Sequence, residues 1–314
     1  MIKIGIIDSG IEHGFVSSNN IVFKQDFLNK DSNDCLDESG HGTCITKQID
    51  ELCHDNELYI LKVLNPNNVT SFSVVDQAME YADSLQLDII NMSFGIECER
   101  YNKEIYKRCE DFRKKNTIVV TTPSNNGAKN YLYEQENVIK VVGGRNIFDE
   151  KIIYNGDAFC TKGIPRMLPW LDNIYVLKGG NSFSTAPIIK MICDAKNNGN
   201  ITFEDVKTYL FNNVNYDYNY NPFIYPDNIE KESIVNYHIY NKILKLFIKK
   251  WKIMGDVSLF SYSSIANGNF HQLLEWLGKE LNVPIRIMEY QYNHFFYIEN
   301  LSNKIYADTL RYNN

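Results

Sequence analysis

Three short stretches hold residue types that could together cleave an amide bond. Ile6-Ile7-Asp8-Ser9-Gly10-Ile11 puts a carboxylate at the end of an apolar, β-branched run. Open α/β sheets place their sites at such carboxyl ends. Gly40-His41-Gly42-Thr43 sets an imidazole between glycines at a predicted helix start, and Gly179-Gly180-Asn181-Ser182-Phe183-Ser184-Thr185-Ala186 sets a serine at the start of another. A serine hydroxyl is a poor nucleophile until a histidine takes its proton. A buried aspartate holds that histidine in the correct tautomer and stabilises the imidazolium. Flanking glycines let backbone and substrate approach closely. Singly, the three stretches also read as a turn, a helix start and a loop.

The hydrophobic pattern supplies elements to position them. Residues 2–7, 58–63, 87–92, 117–122 and 138–142 read as short strands. Residues 41–53, 74–84 and 105–115 read as helices, and a further helix is predicted from about Ser182 to Ala195. This alternation predicts an α/β fold, a mostly parallel sheet flanked by helices. Thr202-Phe203-Glu204-Asp205 reads as a capped helix start, with the helix closing the first domain at 214. Residues 215–232 are rich in Tyr, Asn, Asp and Pro and read as a linker. Beyond it, Ile239, Ile243, Leu246 and Phe247 recur at helical spacing, as do Phe270, Leu273, Leu274, Leu277 and Leu281, and then Ile298, Leu301 and Ile305. Residues 233–314 are therefore expected to form a small, mainly helical domain.

Composition narrows the class. With 314 residues, 44% hydrophobic and 13% aromatic, the chain is not wholly disordered. A net charge of -7 argues against broad nucleic-acid affinity, and no apolar run approaches the ~20 residues that span a bilayer. The charge is uneven: residues 1–232 carry 23 Lys and Arg against 33 Asp and Glu, and residues 233–314 carry nine against six. The seven cysteines, Cys35, Cys44, Cys53, Cys98, Cys109, Cys160 and Cys193, are odd in number and contain no Cys-x-x-Cys. That favours free thiols over a disulfide framework or a zinc site.

Further blocks follow in the same order: Leu61-Lys62-Val63-Leu64, Asp88-Ile89-Ile90-Asn91-Met92-Ser93-Phe94-Gly95 and Pro123-Ser124-Asn125-Asn126-Gly127. With the order Asp…His…Ser, these blocks make residues 1–213 resemble the subtilisin-like serine proteases, or subtilases. The resemblance implies that Ser182 is the nucleophile, His41 the general base and then acid, and Asp8 the orienting carboxylate. Asn125 and the Ser182 backbone N–H would form the oxyanion hole. Ser93, Phe94 and Gly95 would pair with an extended substrate backbone by strand addition. Several positions depart from the family pattern. Asn181 stands for the usual Thr, and Ser124 for the glycine before the oxyanion asparagine. Ala186 stands for the usual Pro, with Pro187 one place later, which shifts the helix start slightly. Cys44 and Ser184 read as small packing residues, and His13 and His54 as surface or cleft-rim residues. No acidic cluster has calcium-loop spacing, so no metal or cofactor is expected.

The first residues lack the charged start, apolar stretch and cleavage site of a signal peptide, so the expectation is a chain with neither signal nor propeptide ahead of the first strand. The expectation is a cytoplasmic serine endopeptidase that processes a specific peptide, such as a natural-product precursor leader. Its partner would be a peptide or protein substrate, with no nucleic acid and no membrane. A catalytically silent or carrier-like binding protein, and a peptide cyclase using the same triad, are the alternatives. The tail faintly resembles an acyl or peptidyl carrier protein over residues 270–285 and 296–301. At the expected attachment point stands Ala266-Asn267-Gly268, with Ser263-Ser264-Ile265 about one helical turn early. Lys242, Lys245, Lys249, Lys250 and Lys252 cluster there, a surface suited to an acidic partner.

Overall fold

The computed structural model describes residues 1–12, 20–29, 34–125, 127–224, 229–252, 258–261 and 270–312. In chain order the strands are β1 (Lys3–Asp8), β2 (Ile21–Asp26), β3 (Glu57–Lys62), β4 (Ile89–Met92), β5 (Ile118–Thr121), β6 (Ile139–Gly144), β7 (Ile153–Tyr154), β8 (Phe159–Lys162), β9 (Arg166–Pro169), β10 (Tyr175–Lys178) and β11 (Asn215–Tyr216). The α-helices are α1 (His41–Leu52), α2 (Phe72–Ser84), α3 (Asn102–Lys114), α4 (Ala186–Asn197), α5 (Phe203–Asn212), α6 (Tyr237–Trp251), α7 (Phe270–Leu281) and α8 (Ile298–Tyr312). The chain divides into two compact units.

The first unit comprises Met1–Gly163, Trp170–Asn173 and Gly179–Ile224. Nine strands form one sheet in the order β11-β7-β8-β6-β5-β4-β1-β3-β2. Pairing is parallel except between β7 and β8. β4 and β5 are buried at every position, which is why, apart from Asn91 and Thr121, their residues are apolar rather than alternating. Ile7, Ile90, Val75, Met79, Ile105 and Phe112 share one core between the sheet and α2 and α3, while α1 packs against α4 and α4 against α5. β1 pairs β3 on one side and β4 on the other, so strand order reverses at β1. That reversal opens a crevice at the carboxyl ends of β1 and β4, the usual ligand position of such sheets. Asp8 ends β1 and Ser93 follows β4.

The α/β fold and most of its elements match the expectation. One helix does not. Residues Asn181–Ser184 form a 3-10 turn, and the α-helix starts at Ala186. Pro187 lacks an N–H and fits only the first helical turn, so the helix cannot run unbroken from Ser182. The linker reading also differs. Residues 215–224 belong to the first unit, with Asn215 N–H donating to Ile152 O at 3.0 Å and Arg145 N–H to Pro222 O at 2.9 Å. Tyr216 stands edge-on to Tyr154, and Tyr220 packs against the cluster around Val142 and Ile147. Tyrosines that read as exposed linker thus cover the end of the sheet.

The second unit comprises Ile164–Pro169, Ile174–Lys178 and Tyr225–Asn314. It is larger than the mainly helical tail expected over 233–314, because the antiparallel hairpin β9–β10 belongs to it. Met167, fully buried, shares a core with Ile243, Phe247, Leu274, Tyr290 and Leu301. Met167 N–H donates to Tyr290 O and Tyr292 N–H to Pro165 O, each at 2.8 Å. The hairpin escaped detection because a four-residue strand ending in proline carries little local signal. On α6, Lys250 lies over the rings of Trp251 and Trp276. Residues 262–269, including the carrier-like Ser263, Ser264 and Ala266-Asn267-Gly268, lie outside the described residues. No helix among the described residues is long and apolar enough to cross a membrane. All seven cysteines are free, and only Cys98 is exposed.

Candidate active site

The first turn of an α-helix leaves its N–H groups without partners in the helix. In α1 each is taken by a named group. Gly40 is the N-cap and has no side chain to offer. His41 N–H donates to Ser39 Oγ at 3.2 Å, Gly42 N–H to Ser9 Oγ at 2.8 Å and Thr43 N–H to Asp37 Oδ2 at 2.8 Å. Asp37, 3% exposed, also accepts from Ser39 N–H, Gly40 N–H, and the hydroxyls of Ser39 and Thr43. Burial raises the pKa of Asp37, but the bonds from Thr43, Ser39 and Gly40 outweigh it and hold the carboxyl below the ordinary range. Two glycines make the arrangement possible. Gly40 sits at φ 82°, where an added Cβ would meet the Trp170 ring at 2.4 Å, and a Cβ on Gly42 would meet Gly10 O at 2.4 Å. The His41 helix therefore rests directly on the loop that follows Asp8.

Asp37→Asn should cost about 1–3 kcal/mol, because its amide turns a donor toward donors that have no other acceptor. It should be read as a lower melting temperature at neutral pH. Because the folded-state pKa is depressed, this contribution is present above the unfolded Asp value of about 3.9 and is lost as pH falls through the folded value. The gap between wild type and variant should therefore narrow in acid.

Asp8, 1% exposed, accepts from its neighbour Ser9 N–H and meets His41 Nδ1 at Oδ1, each at 2.7 Å. Its Oδ2 has no hydrogen-bond partner among the described residues. With Nδ1–H donated to a carboxylate, Nε2 of His41 is left as the basic nitrogen. Phe183 packs against the imidazole, ring centroids 5.3 Å apart. Ser182 is 7% exposed, and its Oγ donates to Ser93 O at 2.8 Å. Ser184 spends its hydroxyl on Asn181 O, and Cys44 is buried, so both serve as packing residues.

Asn181 ties the nucleophile turn to its surroundings. Its N–H donates to Asn125 Oδ1 at 3.2 Å, its Nδ2 to Pro123 O at 3.3 Å, and its Oδ1 accepts from Gly143 N–H at 3.1 Å. The amide orientation of Asn125 follows: the atom facing an N–H must be oxygen, so Nδ2 is left to donate elsewhere. Asn125 thus meets the backbone of the residue before Ser182. Ser93 and Gly95 line the same region, but Phe94 does not offer its carbonyl to a ligand, because Asn130 Nδ2 donates to it at 3.3 Å. The helix predicted from about Ser182 starts at Ala186, so the positive end of its dipole lies four residues after the serine. His54 is exposed beside Asp55, and His13 lies outside the described residues. Among the described residues no group of three or more His, Cys, Asp and Glu could hold a metal ion. The supporting residues Ser9, Asp37, Asn130 and Asn181 gave little sequence signal, since small polar residues in loops are ordinary turn formers.

Comparison with known proteins bears on the first part of the chain and on the fold. Residues 1–146 match the subtilase family, a stretch that holds Asp8, His41 and Asn125 and stops before Ser182. Subtilisin DY of Bacillus licheniformis is 31% identical over 103 residues, 30% of this chain, and a subtilisin of Bacillus pumilus is 30% identical over the same length. The matched stretch spans 37% of the length of these curated relatives. A cold-adapted subtilisin-like serine proteinase superposes with a TM-score of 0.56 at 14% identity, covering 66% of this chain and 80% of that one, which shows a shared fold. Residues 1–146 of this chain are thus similar to the subtilase family.

Proposed function

We propose that this chain is a serine endopeptidase acting through Asp8, His41 and Ser182. The observation that carries the reading is the 2.7 Å contact between His41 Nδ1 and the buried Asp8 carboxylate, in the crevice that also holds the Ser182 hydroxyl. In the proposed reaction Ser182 Oγ turns from Ser93 O to His41 Nε2 and gives up its proton as it attacks the scissile carbonyl. Asn125 Nδ2 and the Ser182 N–H donate to the resulting oxyanion. The C–N bond then breaks, His41 returns the proton to the leaving amine, and water hydrolyses the acyl-enzyme by the same route.

The proposed task is limited processing of a specific peptide inside the cell, such as removal of a leader from a natural-product precursor. Six buried free thiols fit a reducing compartment. The lysine-rich α6 is a surface on which an acidic partner would dock.

Labelling with a fluorophosphonate, followed by peptide mapping, should place the adduct on Ser182. Absence of labelling under any condition would reject the peptidase. Mass spectrometry of products from a candidate peptide should give linear fragments, whereas a ring one water lighter than the substrate would mark a cyclase. Asn125→Ala should lower kcat by about 10²–10³ with KM little changed, since the lost donor acts mainly in the transition state. An unchanged kcat would remove Asn125 from the oxyanion site.

A further inference from the structure

We infer that Asn130 is a positioning residue that fixes the substrate-facing edge of the segment after β4; the inference rests on the peptidase reading above. β4 and β5 are adjacent and parallel, pairing Met92 with Thr121 at their carboxyl ends. The chain leaves these two ends as segments 93–97 and 122–125, which carry the expected substrate wall and the oxyanion asparagine. Asn130, 3% exposed, joins the two. Its Nδ2 donates to Thr122 O at 2.8 Å and Phe94 O at 3.3 Å, and its Oδ1 accepts from Ile96 N–H at 3.0 Å and Leu132 N–H at 3.1 Å. Two carbonyls and two N–H groups fix which end of the amide is which, and all four of its hydrogen-bonding positions are filled.

The partners alternate along segment 93–97. Phe94 O and Ile96 N–H point to Asn130, and Ile96 O accepts from Tyr131 N–H at 2.8 Å. Ser93 O points the other way and accepts from Ser182 Oγ. Backbone groups two residues apart share an edge in extended chain, so Gly95 belongs with Ser93, on the nucleophile side. Among the described residues no hydrogen bond engages the Gly95 backbone, and Gly95 is exposed. By occupying one edge of the segment, Asn130 leaves the Gly95 N–H and C=O presented on the other, in register for an extended peptide backbone. An aliphatic side chain at 130 would leave Phe94 O, Thr122 O and Ile96 N–H without protein partners and free the segment to turn.

Two readouts test this. In Asn130→Ala and Asn130→Asp, kcat/KM for an extended peptide should fall by about tenfold or more, the size of one or two hydrogen bonds to the substrate. Most of that fall should lie in KM, and kcat/KM for a small activated ester, which spans no wall, should fall less than about threefold. The Ile96 amide should exchange quickly in Asn130→Ala and stay protected in Asn130→Asp, whose carboxylate still accepts from it. Equal loss on ester and peptide, or unaltered peptide kinetics, overturns the inference. So does an Ile96 amide as protected in Asn130→Ala as in wild type. The exchange measurement needs no activity: if wild type cleaves neither substrate but Ile96 loses protection on Asn130→Ala, the clamp stands and the peptidase reading fails.

Discussion

Ser182→Ala is expected to lower peptide hydrolysis about a millionfold and to abolish fluorophosphonate labelling, with the melting temperature held. Removal of the nucleophile from a triad has a cost of this size because the remaining groups have no oxygen to activate. The fold should tolerate the change. The Ser182 hydroxyl makes one hydrogen bond, to Ser93 O, and losing it leaves a carbonyl at the rim of an open crevice, worth about 1 kcal/mol. The neighbours that shape the turn are untouched: Asn181 keeps its bonds to Asn125, Pro123 and Gly143. The check pairs pre-steady-state and steady-state hydrolysis of a peptide with calorimetry of both proteins. Residual activity above about one part in 10⁴ would point to another nucleophile. Ser184 would not be that group, since it is fully buried and bonded to Asn181 O.

The residues proposed to carry the chemistry were legible because chemistry restricts their types and the sheet restricts their places. An acid at the end of an apolar run, a histidine between glycines and a serine after paired glycines are recognisable in the sequence itself. The central strands were equally legible, being buried on both faces and therefore mostly apolar without alternation. What escaped depends on partners distant in sequence. Asn130 acts on residues 34 and 36 positions earlier, and Met167 enters a core made of residues beyond 240. Local periodicity carries no information on such pairings. The linker reading failed for a related reason: aromatic residues among Asn and Pro have turn-like composition, and only the exposed end of the sheet shows what they cover.

Asp8→Asn should lower kcat by about 10⁴ while KM moves by no more than a few-fold. In the proposed reaction Asp8 touches no substrate and acts through His41. Its Oδ1 is shared by Ser9 N–H and His41 Nδ1, both at 2.7 Å. An asparagine there has two choices. It can keep its oxygen on that point, which preserves the tautomer but withdraws the negative charge that steadies the imidazolium. It can instead turn its amide nitrogen there, which faces Ser9 N–H with another donor and pushes the proton of His41 onto Nε2, where it blocks proton transfer from Ser182. Both outcomes cost rate, and neither alters substrate binding. Stability should respond differently from activity. The native Oδ2 is buried without a partner among the described residues, an unfavourable place for charge, so the variant's melting temperature is expected not to fall. A kcat within tenfold of wild type would show that His41 works without Asp8. The double variant Asp8→Asn/Ser182→Ala adds a second check. Because the three groups act as one unit, it should be no slower than Ser182→Ala alone. A further thousandfold loss would mean that Asp8 serves some path independent of the serine.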